Sequence, residues 1–301
     1  MWKILDLAGD DYFLHVDHNC LAVKKDGKTV VTSSFTDIHS ILCHGGRITY
    51  SDEFIRKCIE SNIPLIFCDA VHVPCGMVLP VFQHGDTAER FNLQIQASQA
   101  QKKQAWKCII QEKLYNQSQH LQVHGFLREA ETLNALSKKV HSGDTLNYEA
   151  QGAQIYFSKI YGPHFSRKEE SFVNALLNYG YTIIRSCVAR AVVSMGLAPV
   201  FGIFHSNKHN PYCLVDDLME PLRPLADMYV SKILELPHTQ DSITPSLKKI
   251  LIGITKHSVT FGEQKQELTF AIQNYVRSYI LYLERKETSV VFPKFTYDFS
   301  I

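Results

Sequence analysis

Short apolar runs alternate with turn residues over about the first 80 positions of the chain, a pattern typical of strands. Four runs predict strands: YFLHVD, CLAVKK, KTVVTSS and PLIFCD. Lys25-Asp26-Gly27-Lys28 predicts a hairpin turn between the second and the third. Two short helices are also predicted, DIHSILCH and SDEFIRKCIESN, the second with Ser51 as its cap and Phe54, Cys58 and Ile59 on one face.

A helical pattern replaces this alternation near residue 85. Between Glu89 and about Tyr115 the chain has neither Pro nor Gly, and strong helix formers dominate. Breaks at Gly143-Asp144, Gly162-Pro163 and Gly196 to Pro199 separate further periodic segments. The additional predicted helices cover 126–140, 144–160, 168–195, 213–233, 243–255 and 264–286.

These patterns predict an α+β protein with two domains. A small, mostly β N-terminal domain spans 1–84, and a larger all-α domain, which contains the candidate metal-binding and catalytic residues described below, spans 85–301. The aromatic segment SVVFPKFTYDFSI at the C-terminus is expected to pack as an extended tail.

Composition describes a folded protein without an overall bias toward nucleic acid. Of its 301 residues, 45% are hydrophobic and 20% charged, and the net charge is +1. A DNA-binding surface would therefore have to be a local basic patch. Eight scattered cysteines and an N-terminus without signal-peptide character predict a reducing, cytoplasmic setting. Arg190, Ser194 and Pro199 interrupt the most apolar stretch, so no membrane span is predicted.

Glu149 is the first candidate for chemistry, in the predicted helix DTLNYEAQGAQIYFSKIYG. Asp144 is its expected N-cap, and Gly152 with Ala153 would allow close approach of another element. The predicted apolar stripe beside Glu149 consists of Leu146, Ala150, Ala153 and Phe157. By itself, the pattern favours a simpler interpretation, in which Glu149 is a helix-surface carboxylate in a salt bridge.

A second acidic group follows the apolar run PVFGIF, which ends at His205. Asp217 and Glu220 are three positions apart on a predicted helix, and Asp216 and Glu220 four apart, so these carboxylates can share a face. Such a cluster is typical of a site for Mg²⁺ or Mn²⁺, with the imidazole favouring Mn²⁺. The alternative is an acidic helix start in which Glu220 pairs with Arg223. The pattern alone leaves both open.

Several segments together resemble the CRISPR-associated adaptation integrase, the larger of the two proteins that insert new spacers. The resemblance covers nearly the whole chain and is greatest to the form found with single-effector RNA-guided nucleases. It rests on NYEAQGAQIYF, SFVNALLNYGYTIIRSCVARAVVSMGLAP, GIFHSNKHNPYCLVDDLMEPLRP, KKQAWKCIIQEKLYNQSQHL and GGRITYSDEFIRKCIESNIPLIFCD. One departure is Asp216, where many relatives have an aromatic residue.

The resemblance implies a metal-dependent DNA endonuclease and integrase with Glu149, His205 and Glu220 as ligands of Mg²⁺ or Mn²⁺. Asp217 would be an auxiliary ligand and completes the predicted catalytic set. The implied reaction is transesterification, in which a 3′-hydroxyl of a DNA fragment attacks a phosphodiester at the edge of a CRISPR repeat. His205 is either a ligand or a general base, and we predict a ligand. Because one phosphodiester is exchanged for another, the reaction requires no nucleotide as an energy source. The sequence agrees with this, since it has no Walker A or Rossmann motif.

The resemblance also implies partners: the DNA fragment that becomes the spacer, the CRISPR repeat, and a second copy of the chain, paired through the N-terminal domain. The smaller adaptation protein would bridge two such dimers into a heterohexamer, and association with the effector nuclease is left open. Two alternatives are a structure-selective endonuclease with water as nucleophile and a non-catalytic DNA-end scaffold. The intact candidate ligands argue against the scaffold.

Candidate DNA contacts are basic, amide and aromatic side chains around these motifs. They are Tyr161, Arg167, Lys168, Asn178, Tyr179, Tyr181, Arg185, Lys208 and Arg223, with Lys102, Lys103, Lys107, Lys248 and Lys249 as further basic positions. Lysines are commonly solvated charges, and helical tyrosines are commonly core residues, so these alternatives stay open. Asn178 and Arg223 are also candidates for orienting the acids.

Two further patterns are judged uninformative. Cys68, His72 and Cys75 suggest zinc, but no second ligand pair matches them, and buried thiols are the simpler interpretation. A Cys213–His205 nucleophilic pair would leave the carboxylates unexplained.

Overall fold

The computed structural model describes residues 3–44, 46–68, 74–80, 84–237, 242–297 and 299. The chain divides into two compact units, Met1–Thr87 and Ala88–Ile301. The first is rich in strands and the second is mainly helical, so the predicted α+β class is confirmed.

Two four-stranded sheets make up the first unit. One has the order β1-β5-β7-β8 and the other β4-β3-β2-β6. The strands are β1 Lys3–Leu7, β2 Tyr12–Asp17, β3 Cys20–Lys25, β4 Lys28–Ser34, β5 Ile38–Cys43, β6 Ile48–Tyr50, β7 Leu65–Cys68 and β8 Pro74–Val78. All four predicted strands are confirmed, and β3 and β4 pair antiparallel across the predicted hairpin turn, with Lys25 opposite Lys28.

The predicted helix DIHSILCH is wrong, because this segment forms β5. All six residues of β5 are buried, and the strand pairs parallel with both β1 and β7. A central parallel strand is covered on both faces, so it lacks the alternation that distinguishes a strand from a short buried helix. The other predicted helix is confirmed as α1, Asp52–Glu60, whose cap Ser51 accepts a hydrogen bond from the Phe54 amide at 3.2 Å.

Nine helices are described in the second unit or at its start. They are α2 Thr87–Gln96, α3 Gln99–Val123, α4 Leu127–Lys139, α5 Tyr148–Ile160, α6 Phe172–Ser194, α7 Cys213–Met219, α8 Arg223–Glu235, α9 Pro245–Ile252 and α10 Leu268–Leu283. No helix in the described ranges is long and apolar enough to cross a membrane.

The largest differences from the predicted helices lie at three places. The helix predicted from Glu89 is divided into α2 and α3, because Ser98 caps α3 by accepting from the Gln101 amide. A 3-10 turn, Glu220–Leu222, separates α7 from α8. The residues before α10 form a hairpin of β9, Ser258–Phe261, and β10, Gln264–Glu267, to which the C-terminal tail adds β11, Lys294–Phe295. The tail is therefore extended, as predicted.

Helix α3 is the central element of the helical unit, and α4, α5 and α8 all pack against it. Its buried surface is unusually polar, and the buried polar residues are Glu112, Lys113, Asn116, Gln117, Ser118 and His120. Because a buried polar group must find a partner, these side chains tie α3 to its neighbours. Asn116 donates to the Pro221 carbonyl at 2.9 Å, which joins α3 to the turn before α8.

Candidate metal centre

Glu149 is the second residue of α5, and two polar side chains determine where this helix begins. The N-cap is Asn147, not Asp144 as predicted. Asp144 nevertheless contributes, since its carboxylate accepts from the Tyr148 and Glu149 amides at 2.9 and 3.0 Å. An acidic group at a helix N-terminus also interacts favourably with the helix dipole.

The predicted apolar stripe of α5 is wrong in part. Leu146 is 55% exposed and Ala150 is exposed, whereas Gly152 and Tyr156 are buried. Gly152 does permit close packing, because a Cβ there would lie 2.2 Å from Leu114 Cδ2 of α3. Glu149 shares this face at a spacing of three and seven residues, which turns it toward α3.

Asp217 is fully buried on α7 and organises the loop that carries His205. Its carboxylate accepts from the Ile203, Phe204 and His205 amides at 2.6, 2.9 and 3.3 Å and contacts Nδ1 of the His205 ring. The close turn requires Gly202, because a Cβ there would lie 2.1 Å from the His205 carbonyl oxygen. In this structure Asp217 is thus a positioning residue for His205, and its role as an auxiliary ligand stays a prediction.

Two aromatic rings complete the setting of His205. Phe204 is half exposed and stacks on buried Trp106 at 4.4 Å between ring centroids, and both rings meet the imidazole edge-on at 5.6 Å. The hydrogen bond to Asp217 raises the pKa of His205, burial opposes this, and the charges of Glu220 and Glu149 add to the increase. The two glutamates and the imidazole therefore act on one another electrostatically.

Lys113 of α3 lies between Glu149 and Glu220. Its Nζ is 2.6 Å from Glu149 Oε1 and 2.6 Å from Glu220 Oε2. Arg223 Nε is 2.9 Å from the other oxygen of Glu220. Burial alone would raise the pKa of Glu220, but Arg223 and Lys113 lower it to about 2. The structure thus contains the ion pairs of the simpler interpretation, Glu149 in a salt bridge and Glu220 with Arg223.

As arranged here, no three His, Cys, Asp or Glu side chains within the described ranges form a group that could hold a metal ion. The chemistry of Glu149, Glu220 and His205 is suited to Mg²⁺ or Mn²⁺, because two carboxylates are combined with an imidazole. Nδ1 of His205 is held by Asp217, so Nε2 is the ring nitrogen that would bind a metal. The ammonium of Lys113 is a stand-in cation between the two carboxylates.

Asp216, the departure noted in the sequence, is paired within the chain. Arg185 donates to both of its oxygens, at 2.7 and 2.9 Å, and Asn210 donates to one of them at 2.6 Å. Arg185 also lies over the Tyr212 ring. Its guanidinium therefore serves an internal ion pair, which competes with the predicted DNA contact.

Other predicted DNA contacts are likewise engaged or buried. Arg167 donates to Asn174 and Asn178 at 2.5 and 2.7 Å. Tyr179 and Tyr181 are buried on α6, so the structure favours core packing over base stacking for both. Lys248 is buried too, with its Nζ over the Tyr179 ring. The candidates with exposed side chains are Lys103, Lys168, Lys208 and Lys249, while Lys102 and Lys107 are intermediate.

Lys208 is exposed and lies three positions after His205, so it is the exposed basic candidate nearest in sequence to a predicted metal ligand. Lys208→Ala is expected to weaken duplex binding and to lower the slope of log K against log salt by about 0.9, because the variant neutralises one phosphate fewer. A fluorescence anisotropy titration at several salt concentrations measures this, with exposed Lys265→Ala on β10 as control. Unchanged affinity and slope would remove Lys208 from the interface.

Asp227 of α8 forms a buried network that sequence patterns did not indicate. Tyr181 and Tyr156 donate to its two carboxylate oxygens at 2.5 and 3.0 Å, and Tyr161 donates to its backbone carbonyl at 3.2 Å. Burial raises the pKa of Asp227 to about 6, although both tyrosine hydrogen bonds lower it. Tyr161 and Tyr181 are thus partners of a buried acid.

This network predicts a pH dependence of stability. The pKa of Asp227 is about 6 in the folded chain, compared with an ordinary value of about 3.9. At a pH between these two values, the folded state still holds a proton that the unfolded state has released. Ionisation of Asp227 therefore costs stability as pH rises through about 6. The difference in unfolding free energy between Asp227→Asn and the wild type should shift in favour of the variant by about 2 kcal/mol when the pH is raised from 4.5 to 7.5. Guanidinium unfolding at the two pH values measures this change. Ser231→Ala, an uncharged change on α8, should show a constant difference, and a constant difference for Asp227→Asn would contradict the prediction.

Two sequence candidates remain, the Cys68, His72 and Cys75 pattern and the Cys213–His205 pair. Cys68 is partly buried and Cys75 exposed, while His72 lies outside the described residues. Cys213 is buried, and its thiol donates to the Asn210 carbonyl at 3.2 Å. Burial raises the pKa of the Cys213 thiol, which disfavours a nucleophilic role.

Comparison with known proteins supports the family indicated by the sequence. The family model described as CRISPR associated protein Cas1 matches residues 5–249. A CRISPR-associated endonuclease Cas1 of Neisseria meningitidis serogroup C (strain 8013) is 33% identical over 266 residues, covering 88% of this chain and 87% of its own length.

Two solved structures share the fold. A casposase bound to integration product superposes with a TM-score of 0.81 at 20% identity, over 100% of this chain and 96% of the other. A Cas6-RT-Cas1–Cas2 complex matches with a TM-score of 0.78 at 20% identity, over 95% of this chain and 35% of the other. With a strand-rich unit before a helical one and a family match over most of its length, the chain belongs to the CRISPR-associated Cas1 family.

Proposed function

We propose that this chain is a divalent-metal-dependent DNA integrase of CRISPR adaptation, which joins 3′-hydroxyl ends of foreign DNA fragments into the CRISPR repeat array. The observation that carries the proposal is the convergence of Glu149 and Glu220, from separate elements, on one buried cationic point. His205, held through Nδ1 by Asp217, acts on the same two carboxylates.

The proposed ligands are Glu149, Glu220 and Nε2 of His205. A bound Mg²⁺ or Mn²⁺ would lower the pKa of the attacking 3′-hydroxyl and neutralise charge that develops on the phosphoryl oxygens. Asp217 holds His205 in one orientation, and Arg223 keeps Glu220 ionised and directed toward the site. The attacking hydroxyl loses its proton and its oxygen bonds to the repeat phosphorus. The repeat's own P–O3′ bond breaks, and the released 3′-oxygen takes up a proton from water. One phosphodiester replaces another, so no nucleotide is consumed.

Partners follow from what is known of similar structures. The casposase neighbour is bound to integration product, which supports DNA as the substrate of this fold. Another neighbour lies in a complex with Cas2, which supports the smaller adaptation protein as a partner. We propose a homodimer formed through the N-terminal unit, with two dimers bridged by that smaller protein, in the prokaryotic cytoplasm. Association with an RNA-guided effector nuclease remains open.

A joining assay tests the proposal against its nearest alternative. The purified protein and its small partner are incubated with Mg²⁺ or Mn²⁺, a duplex with free 3′-hydroxyls and a supercoiled plasmid that carries the repeat. Joining that is lost when the 3′ ends are blocked supports an integrase. The relative named an endonuclease favours a hydrolytic second candidate, for which plasmid cleavage would persist with blocked ends. If neither joined nor cleaved DNA is formed, the remaining interpretation is a non-catalytic DNA-end scaffold.

A further inference from the structure

Lys113 is the residue at the candidate centre that the sequence did not single out. It lies on α3 within a run of buried polar residues, and its side chain is 10% exposed. Its Nζ lies 2.6 Å from Oε1 of Glu149 and 2.6 Å from Oε2 of Glu220, so the amine is ion-paired with two carboxylates. The ammonium is therefore charged inside the protein.

Two acidic and two basic side chains are directly ion-paired at this centre. Glu149 and Glu220 contribute two negative charges, and Lys113 and Arg223 contribute two positive ones. Adding a divalent cation while both basic groups stay in place would put further positive charge beside Lys113 and Arg223 in a buried site, which is unfavourable. Entry of a metal therefore requires one cation to leave.

Geometry identifies which cation leaves. Lys113 contacts one oxygen of each glutamate at 2.6 Å, so it lies on the line of approach shared by both carboxylates. Of the two glutamates, Arg223 pairs with Glu220, through its other oxygen, and the guanidinium also lies over the Tyr181 ring. Lysine also has a flexible four-carbon stem, whereas the guanidinium of arginine is a rigid planar group. Lys113 is the group that can withdraw.

We propose that Lys113 is a tethered cation that holds Glu149 and Glu220 together in the metal-free protein and is displaced from both by the divalent ion. The inference rests on the proposed metal set. It assigns Lys113 a positioning role, because the ammonium keeps two like charges close before the metal arrives. It also implies that the wild-type chain binds metal more weakly than its ligands alone would allow.

Calorimetric titration with Mn²⁺ alone, without DNA, tests the competition. Lys113→Met should bind Mn²⁺ at least tenfold more tightly than the wild type, since no ammonium has to be displaced. In EDTA its Tm should fall by about 5 °C or more, because two buried carboxylates lose their partner, and Mn²⁺ should restore it. Lys107→Met on the same helix is the matched control and should change neither quantity.

Affinity equal to or weaker than that of the wild type, or an unchanged Tm in EDTA, would overturn the proposal. If neither the wild type nor Lys113→Met binds Mn²⁺, the metal set itself is wrong and the inference fails with it. If the wild type binds Mn²⁺ and Lys113→Met has no effect on that affinity, the displacement of Lys113 is refuted while the proposed metal ligands are not.

A second measurement uses the wild-type chain and does not depend on the variant folding. Amine-directed acylation followed by peptide mass spectrometry reports how accessible the Lys113 amine is. It should be protected in EDTA and become reactive at saturating Mn²⁺, whereas Lys107 should react equally in both. Continued protection of Lys113 at saturating Mn²⁺ would contradict displacement.

Discussion

Glu149→Ala and Glu220→Ala are each expected to reduce strand joining by on the order of a thousandfold or more. Metal ions contribute several kcal/mol of transition-state stabilisation, and each 1.4 kcal/mol corresponds to about a factor of ten. Each substitution removes one of the two carboxylates that converge on Lys113, so neither leaves a complete ligand set. Gel analysis of joined products at saturating Mg²⁺ or Mn²⁺ measures the loss.

The control for this pair is Glu131→Ala, an exposed glutamate of α4 that should retain full joining. Far-UV circular dichroism and a thermal melt show whether each variant is folded, since Glu220 lies in the buried part of the site. Substantial joining by a folded Glu149→Ala or Glu220→Ala variant would refute the assignment of the metal ligands.

Asp217→Ala is expected to destabilise the protein by about 3–5 kcal/mol, the cost of removing one partner of a buried charged network. The substitution leaves the Ile203 and Phe204 amides and the His205 ring without their acceptor. For a protein of this size the Tm should fall by roughly 10 °C, and joining should be lost because His205 is no longer oriented. Differential scanning calorimetry and the joining assay measure the two effects.

His205→Ala separates orientation from ligation. It removes the imidazole but leaves the Asp217 carboxylate on the Ile203 and Phe204 amides, so joining should fall while the Tm changes much less. A wild-type Tm for Asp217→Ala would show that this carboxylate does not hold the loop. An equal loss of Tm in both variants would instead place the stabilising contact in the His205 ring.

Local sequence signals succeeded where a single segment determines the outcome. The hairpin turn at residues 25–28 requires only a turn sequence between two β-rich runs, and Ser51 requires only an amide three residues later. They failed where burial on both faces removes periodicity, as in β5, and where one side chain interrupts a helical pattern, as Ser98 does between α2 and α3.

The DNA contacts show the same limit. A basic or aromatic residue type indicates what a side chain could bind, but its actual partner comes from another part of the chain. Arg185 is engaged by Asp216, 31 residues away, and Tyr181 by Asp227, 46 residues away. Neither pairing leaves a local pattern, so only exposed positions such as Lys208 retain a direct case for contact with DNA.

The sequence by itself determined the α+β class, the family and the candidate ligands, because residue types and motif order are properties of the chain. Only the tertiary structure decided what surrounds those ligands. It brought Lys113 between Glu149 and Glu220, which are 36 and 107 positions from it, and gave Asp217 three amides and an imidazole to hold. The physical reason is that a buried charge is stable only with partners, and in a folded chain these partners come from distant segments.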